Sequence, residues 1–341
     1  MRVLMICPEL PTASKPGTMA PGARQIYSIQ RAGIETQVCD MRGIPKLKYL
    51  QMVPRIRKAI PNVDLIHAHF GYCGWLALIS RALVSRKVPI VISFMGSDLL
   101  GTPYNEQGDL ERLSKLEMKI NVALANQYDQ VIVKSEEMAG RVRHVSCHVI
   151  PNGVDLEVFK PMAREQACDQ IGLDHRQLHV LFPGNPDNPR KGHQLATSAV
   201  RIAEKLINRS IDLVPLWRVN ADKVAVYMNA CNAMVMTSVF EGSPNVVKEA
   251  MACNLSVIGV PVGDVHEMLQ GVEGCCRTSR DPLQIGQALA NVLNSAASSN
   301  GREILQARQL SLEGVAERII AVYHKALSQD QQLFQHTGIT A

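Results

Sequence analysis

The sequence predicts an α/β protein made of two doubly wound halves, each a parallel sheet wrapped by helices. Short β-branched runs alternate with helix-like segments along nearly the whole chain. The alternation comes in two series divided by a Pro- and Gly-containing join. With 341 residues, and a usual size of ~150 residues per domain, the chain suits about two domains with cores of their own.

The first series supplies strand-like Val3 to Cys7, Thr36 to Cys39, Leu65 to His67, Pro89 to Ser93, Gln130 to Lys134 and His148 to Ile150. At the join, Pro151-Asn152-Gly153 reads as a turn and Pro161 interrupts regular structure, which places a linker within Pro151 to Met162. The expected domains are 1–157 and 158–311. The second series offers Val180 to Phe182, Leu213 to Leu216, Ala233 to Thr237 and Ser256 to Val260 as strands, with Lys223 to Ala230 and Pro282 to Ser295 among its helices. Helix-like Leu312 to Leu327 closes the chain and is expected to pack back on the first domain, leaving 329–341 as a poorly ordered polar tail.

Composition narrows the function classes. A chain that is 46% hydrophobic and 20% charged is too apolar for disorder and too evenly mixed for a fibre. No apolar run approaches the ~20 residues of a bilayer span, and Val3 to Cys7 ends at Pro8 without a signal-peptide layout, so a cytoplasmic location is expected. The nine cysteines lack paired ligand spacing and read as reduced small hydrophobes, with no metal site expected. The net charge of +5 suits anionic partners, whereas 4% aromatics offers few stacking platforms and argues against nucleic acid.

In such sheets ligands sit beyond the carboxyl ends of the strands, and between two halves the natural place is the cleft they would share. The strongest local feature there is Glu241-Gly242-Ser243-Pro244-Asn245-Val246-Val247-Lys248-Glu249, just after a strand. Ser243 reads as the cap of a helix whose first residue is Pro244, and the amides of Ser243 to Val246 would suit a phosphate or a sugar. Glu249 could accept two hydrogen bonds from vicinal ribose hydroxyls. A capped surface helix with solvated glutamates has the same spacing.

The second feature is Gly184-Asn185 followed by Pro189-Arg190-Lys191-Gly192, again a strand end leading to a helix, where Arg190 and Lys191 could neutralise a diphosphate or simply be solvated. In the first half, Gly17 lies in the loop after the first strand and would let a ligand approach the backbone. There is no GxGxxG, which disfavours a nicotinamide-dependent dehydrogenase. His67-Ala68-His69 and Gly96-Ser97-Asp98 each end a strand, placing His69 and Asp98 near the cleft. His67 and His69 should share one face of their strand, with His67 an ordinary hydrogen-bonded core histidine.

Taken together, the Glu241 to Glu249 element, the Pro189 to Gly192 loop, Ile150-Pro151-Asn152-Gly153-Val154-Asp155 with Phe159 and Pro161, His67-Ala68-His69 and Gly96-Ser97-Asp98 resemble glycosyltransferase family 4, from Met1 to about Leu327. The resemblance implies a GT-B architecture of two Rossmann-like domains facing across a cleft. It also implies a retaining, metal-independent transfer with no cofactor, in which a nucleotide-diphosphate sugar is the donor substrate. Glu249 would bind the ribose, Glu241 and the Gly242, Ser243, Pro244 and Asn245 segment the donor sugar and phosphates, and Arg190 with Lys191 the leaving diphosphate. Gly17 and Gly184 would approach that diphosphate. Two positions depart from the family pattern: Asn185 follows Gly184 where Arg is common, and Met95 stands where His often precedes Gly-x-Asp. Arg190 is then expected to supply the missing charge, and His69 part of the polar work beside the acceptor.

The function so implied is transfer of a hexose-type sugar from a UDP- or GDP-linked donor to a glycan or lipid-linked acceptor in cell-envelope polysaccharide synthesis. An inactive binding or scaffold protein on the same fold and a sugar-nucleotide epimerase are the alternatives. Ile44 to Ile60 mixes Lys46, Lys48, Arg55, Arg57 and Lys58 with apolar residues. It reads either as a contact with the anionic inner face of a membrane or as a Rossmann helix with a wet edge, interrupted at Pro54.

Overall fold

The computed structural model describes residues 1–12, 18–42, 48–105, 107–295 and 298–337, with the backbone alone at 50 and 330–337. The chain folds as two compact units, one of Met1–Thr102, Arg112–Gly153 and Leu312–Ala341, the other of Pro103–Glu111 and Val154–Ser311. The division falls at Gly153 rather than after residue 157. Val154 already belongs to the second unit, bridging in parallel to Ser311, and Arg302 holds the following turn through the carbonyls of Leu156 (2.9 Å) and Phe159 (2.7 Å).

The first unit runs β1 (Arg2–Cys7), α1 (Ala20–Arg31), β2 (Glu35–Asp40), α2 (Lys48–Ala59), β3 (Leu65–His69), α3 (Gly71–Ala82), β4 (Ile90–Ser93), α4 (Ser97–Leu100), α5 (Arg112–Leu124), β5 (Gln130–Val133), α6 (Glu136–Arg141) and β6 (Cys147–Val149). The second runs α7 (Arg164–Ile171), β7 (Leu178–Phe182), α8 (His193–Ile207), β8 (Ile211–Pro215), α9 (Val224–Ala230), β9 (Ala233–Met236), α10 (Asn245–Ala252), β10 (Val257–Gly259), α11 (Val265–Met268), β11 (Cys276–Arg277), α12 (Pro282–Asn294) and α13 (Gly301–Ala307). The last helix, α14 (Leu312–Thr337), returns to the first unit.

Both sheets are parallel among the described residues, and their strand orders match. The first is β2-β1-β3-β4-β5-β6 and the second β11-β10-β9-β7-β8. In each, the second strand lies outside the first while the third lies on the other side, so the order reverses at β1/β3 and at β7/β9. The inner strands β3, β4, β5, β7 and β9 are buried at every position, as sheets covered on both faces require. Local chemistry sets the helix ends: Ser135 accepts from the Met138 amide at the start of α6, Asp281 caps α12 ahead of Pro282, and Gly172 ends α7 in the left-handed region.

Three expectations are corrected. The helix α14 continues ten residues past Leu327 to Thr337, so most of the expected tail is helical. Pro54 lies inside α2 and does not end it; the helix buries Met52, Ile56 and Ala59 and exposes Arg57 and Lys58. The two-residue edge strand β11 has no counterpart in the predicted elements, because two residues carry no readable periodicity. The nine cysteines are free thiols, six of them buried.

Candidate functional site

In open parallel sheets the carboxyl ends of the strands at an order reversal diverge and leave a crevice, which for the second unit means the loops after β7 and β9. After β7, the Pro183 to Asn188 loop turns through a short 3₁₀ segment, Pro189–Lys191, into α8. After β9, Thr237 to Pro244 leads into α10. The two loops are tied together. The Val239 amide donates to the Arg190 carbonyl at 2.8 Å, and the Thr237 hydroxyl lies 3.0 Å from the carbonyl oxygens of both Lys191 and Gly192. Arg280 in turn donates to the carbonyls of Thr237 (2.9 Å) and Ser238 (2.8 Å). Gly192, at φ +68°, is confined by this tie, because a Cβ there would run into the Thr237 carbonyl oxygen.

The result brings Lys191 and Glu241 together, with Nζ 2.6 Å from Oε1 and side chains 23% and 18% exposed. The lysine stem crosses Gly184, whose φ of +155° and missing side chain leave room for it; a Cβ there would stand 2.9 Å from Lys191 Cγ. Arg190 is set by Asn188, which accepts from its amide at 3.1 Å, and its guanidinium lies 6.0 Å from the Phe240 ring centre. Its Nε is buried without a hydrogen-bond partner. Asn185, which follows Gly184 in the predicted donor loop, spends its side-chain oxygen on the Asp187 amide at 3.1 Å and forms the turn.

The start of α10 differs from expectation. Pro244 is the residue before the helix, not its first residue, and no side chain caps the helix. The Ser243 hydroxyl instead donates to Asp264 Oδ2 (2.6 Å) and accepts from Lys248 Nζ (2.7 Å), all three residues being buried. Burial pulls Lys248 below its ordinary value and pushes Asp264 above its own, each partly countered by the charge of the other. Beside them Asn245 Oδ1 is buried without a partner. Glu249 lies half-buried one turn along α10 from Asn245. Among the predicted donor residues, then, Lys191, Glu241, Gly184 and Arg190 lie on two stitched loops, while Gly242, Ser243, Pro244, Asn245 and Glu249 lead into and along α10. Gly17 lies outside the described residues. Thr237, Lys248, Asp264 and Arg280 escaped the sequence reading, although a lysine three and four residues before Met251 and Ala252 sits on that helix's apolar face.

In the first unit the expectations for His69 and Asp98 change. Both are completely buried. Asp98 accepts from the amides of Gly71 (3.1 Å), Met95 (3.0 Å) and Gly96 (2.9 Å), so it organises the loop after β4 and the start of α3. Burial pushes its carboxyl up to about 6 despite these bonds. His67 and His69 do share a face, their rings 4.1 Å apart. His67 bonds Tyr323 of α14 (2.6 Å) and Ser93 (2.8 Å), and His69 bonds Gln25 of α1 at 3.1 Å. Burial, with the neighbouring buried Lys134, holds His69 down at about 3 and lowers His67 as well. Among the described residues no three His, Cys, Asp or Glu side chains gather as a metal-binding group.

Two family models match the chain in succession: Glycosyltransferase Family 4 over residues 2–158, and Glycosyl transferases group 1 over residues 166–295. The chain is a glycosyltransferase of the type these two models describe. A D-inositol 3-phosphate glycosyltransferase of Catenulispora acidiphila is 24% identical over 79% of this chain and 74% of its own length. The TuaC protein of Bacillus subtilis, a teichuronic acid biosynthesis glycosyltransferase by name, is 24% identical over 79% of this chain and 83% of its own. In fold, this glycosyltransferase is similar to HepE of Anabaena solved with UDP and glucose, with a TM-score of 0.70 and 17% identity across 95% of this chain and 99% of that one. Its two Rossmann-like units are those of a GT-B glycosyltransferase.

Proposed function

We propose that this glycosyltransferase transfers a hexose-type sugar from a nucleotide-diphosphate sugar, UDP- or GDP-linked, to a glycan or lipid-linked acceptor of the cell envelope, with retention at the anomeric carbon and without a metal. The observation that carries the reading is the stitching of the β7 and β9 loops. It sets Arg190 and Lys191 against the segment that leads from Glu241 into α10, at the strand-order reversal of the second sheet. A diphosphate there would find two cations and a helix start with no side-chain cap, and the buried Nε of Arg190 would gain a partner. Glu249 would take the ribose hydroxyls and Glu241 the sugar. The complex of HepE with UDP and glucose and the naming of TuaC for teichuronic acid biosynthesis support the donor class and the pathway class.

In this mechanism the acceptor hydroxyl attacks from the face that the diphosphate leaves. The bond from the anomeric carbon to the phosphate oxygen breaks, the bond to the acceptor oxygen forms, and the departing phosphate oxygen takes the acceptor's proton. Lys191 exchanges Glu241 for the diphosphate as negative charge grows there, and Arg190 adds a second cation; such preorganised groups commonly contribute ~10²-fold each. Asp98 and His69 act by holding the loops of the first unit.

A lipid-linked acceptor draws support from the first unit's surface. A cavity of about 430 Å³ is lined by Tyr49, Tyr72, Trp75, Leu76, Ile79 and Glu117, Tyr49 coming from α2, the helix that also carries exposed Arg55, Arg57 and Lys58. Among the described residues no helix is long and apolar enough to cross a membrane, and the contact proposed is a peripheral one. The test is a panel of UDP-, GDP- and ADP-sugars incubated with envelope glycan and lipid extracts, followed by product stereochemistry. Release of nucleoside diphosphate with an α-linked product from an α-linked donor supports the reading. Isomerised donor without acceptor, binding without turnover, or an inverted product each refutes it.

A further inference from the structure

Ser243 stands two residues before α10, and serine is among the side chains that most readily cap a helix start. Its hydroxyl is nonetheless committed in both directions, accepting from Lys248 Nζ at 2.7 Å and donating to Asp264 Oδ2 at 2.6 Å. Lys248 is 0% exposed and Asp264 5% exposed, so the fold keeps a cation and a carboxylate in its interior around one hydroxyl. Such a buried pair is costly in desolvation and is seldom the most stable filling of the space. The carboxylate comes from the loop before α11, whose Gly263 (φ +53°) presses against the backbone of the donor loop; a Cβ there would stand 2.5 Å from the Gly242 carbonyl oxygen. Meanwhile α10 starts at Asn245 with no side-chain cap.

We propose that Lys248 and Asp264 are positioning residues that withhold the Ser243 hydroxyl from the helix start and so keep the first amides of α10 open for the donor's diphosphate. The inference rests on the reading of this loop as the donor site. Without the two charges, the hydroxyl would turn to the α10 amides and compete with the phosphate oxygens for the same N–H groups. Lys248 and Asp264 touch neither donor nor acceptor in this scheme. They act through one hydroxyl, and that hydroxyl is the handle by which the idea can be tested.

Turnover and thermal unfolding are measured for wild type, Lys248→Met, the double variant Lys248→Met/Asp264→Asn and the triple variant that adds Ser243→Ala. The donor is the sugar nucleotide the wild type turns over fastest in the panel above. A wild type inert towards every sugar nucleotide would remove the donor-site reading itself, and this inference with it. Given an active wild type, the double variant should raise donor KM about tenfold, or about 1.4 kcal/mol, with acceptor KM unchanged. It should also regain the melting temperature lost by Lys248→Met. Adding Ser243→Ala should then lower donor KM at least threefold from the double variant's value, because the competing hydroxyl is gone. The inference is overturned if donor KM in the double variant recovers along with stability, or if the triple variant is no better than the double. Should Lys248→Met fail to fold, the comparison of double and triple variants decides alone.

Discussion

Replacing Lys191 by methionine separates the chemistry of the second unit from its folding. The methionine stem keeps the aliphatic packing over Gly184, where the lysine carbons stand about 3 Å from the position a Cβ would take, and only the charge leaves. The ion pair lost is short, 2.6 Å, but about a fifth of each side chain is exposed, so solvent screens it and it is worth about 1 kcal/mol to stability. In a unit of this size that is a fall of about 3 °C in melting temperature. The effect on reaction should be far larger. A cation facing the leaving phosphate oxygen is fully engaged only as charge develops there, so its loss should lower kcat ~10²-fold, about 2.7 kcal/mol. Nucleoside diphosphate release at saturating donor, with calorimetry on the same samples, measures both. The reasoning fails if kcat drops by less than about threefold, or if lost activity only follows the unfolded fraction.

Gly192→Ala should destabilise the second unit by more than 2 kcal/mol, because it combines a strained φ of +68° with a collision against the Thr237 backbone oxygen; urea unfolding reads it, and near-wild-type stability would mean the loop tie is looser than described. Acid should weaken the first unit through His69, held down at about 3 against 6.5 when unfolded. The unfolded chain then binds the extra proton, so this contribution is present above pH 6.5 and is lost towards pH 3, about 2 kcal/mol by pH 5. Asp98, raised to about 6, works in the opposite direction, adding stability that is complete below about pH 4 and gone above about pH 6. Stability measured from pH 7 to 4.5 should therefore fall less in His69→Gln than in wild type, and parallel curves would contradict the assignment. Finally, Trp75→Ser and Lys58→Glu should each reduce sedimentation with phosphatidylglycerol vesicles several-fold while leaving phosphatidylcholine vesicles unbound; equal binding by all three proteins would remove the membrane contact.

The parts of this enzyme that repeat were legible in its sequence. Inner strands such as Ile90–Ser93 and Ala233–Met236 are apolar on both faces and stand out against amphipathic helices, and the spacing from Glu241 to Glu249 follows from a strand end feeding a helix. What stayed hidden depends on long-range partners. Ser243 carries the local signature of a helix cap, yet Asp264, twenty-one residues away, takes its hydroxyl. Asp98 has the look of an active-site carboxylate, yet three backbone amides brought together by the turns after β3 and β4 enclose it. Helix α14 runs on through polar residues to Thr337, where composition alone reads as a tail.

A crystal structure grown with the sugar nucleotide that the panel identifies would show whether the stitched β7 and β9 loops grip a donor's diphosphate. The diphosphate should lie within hydrogen-bonding distance of Lys191 Nζ and the first amides of α10, with Glu249 on the ribose hydroxyls and the Lys191–Glu241 contact opened. Nucleotide density at another face of the chain, or at this one with Lys191 still paired to Glu241 and α10 untouched, would contradict it.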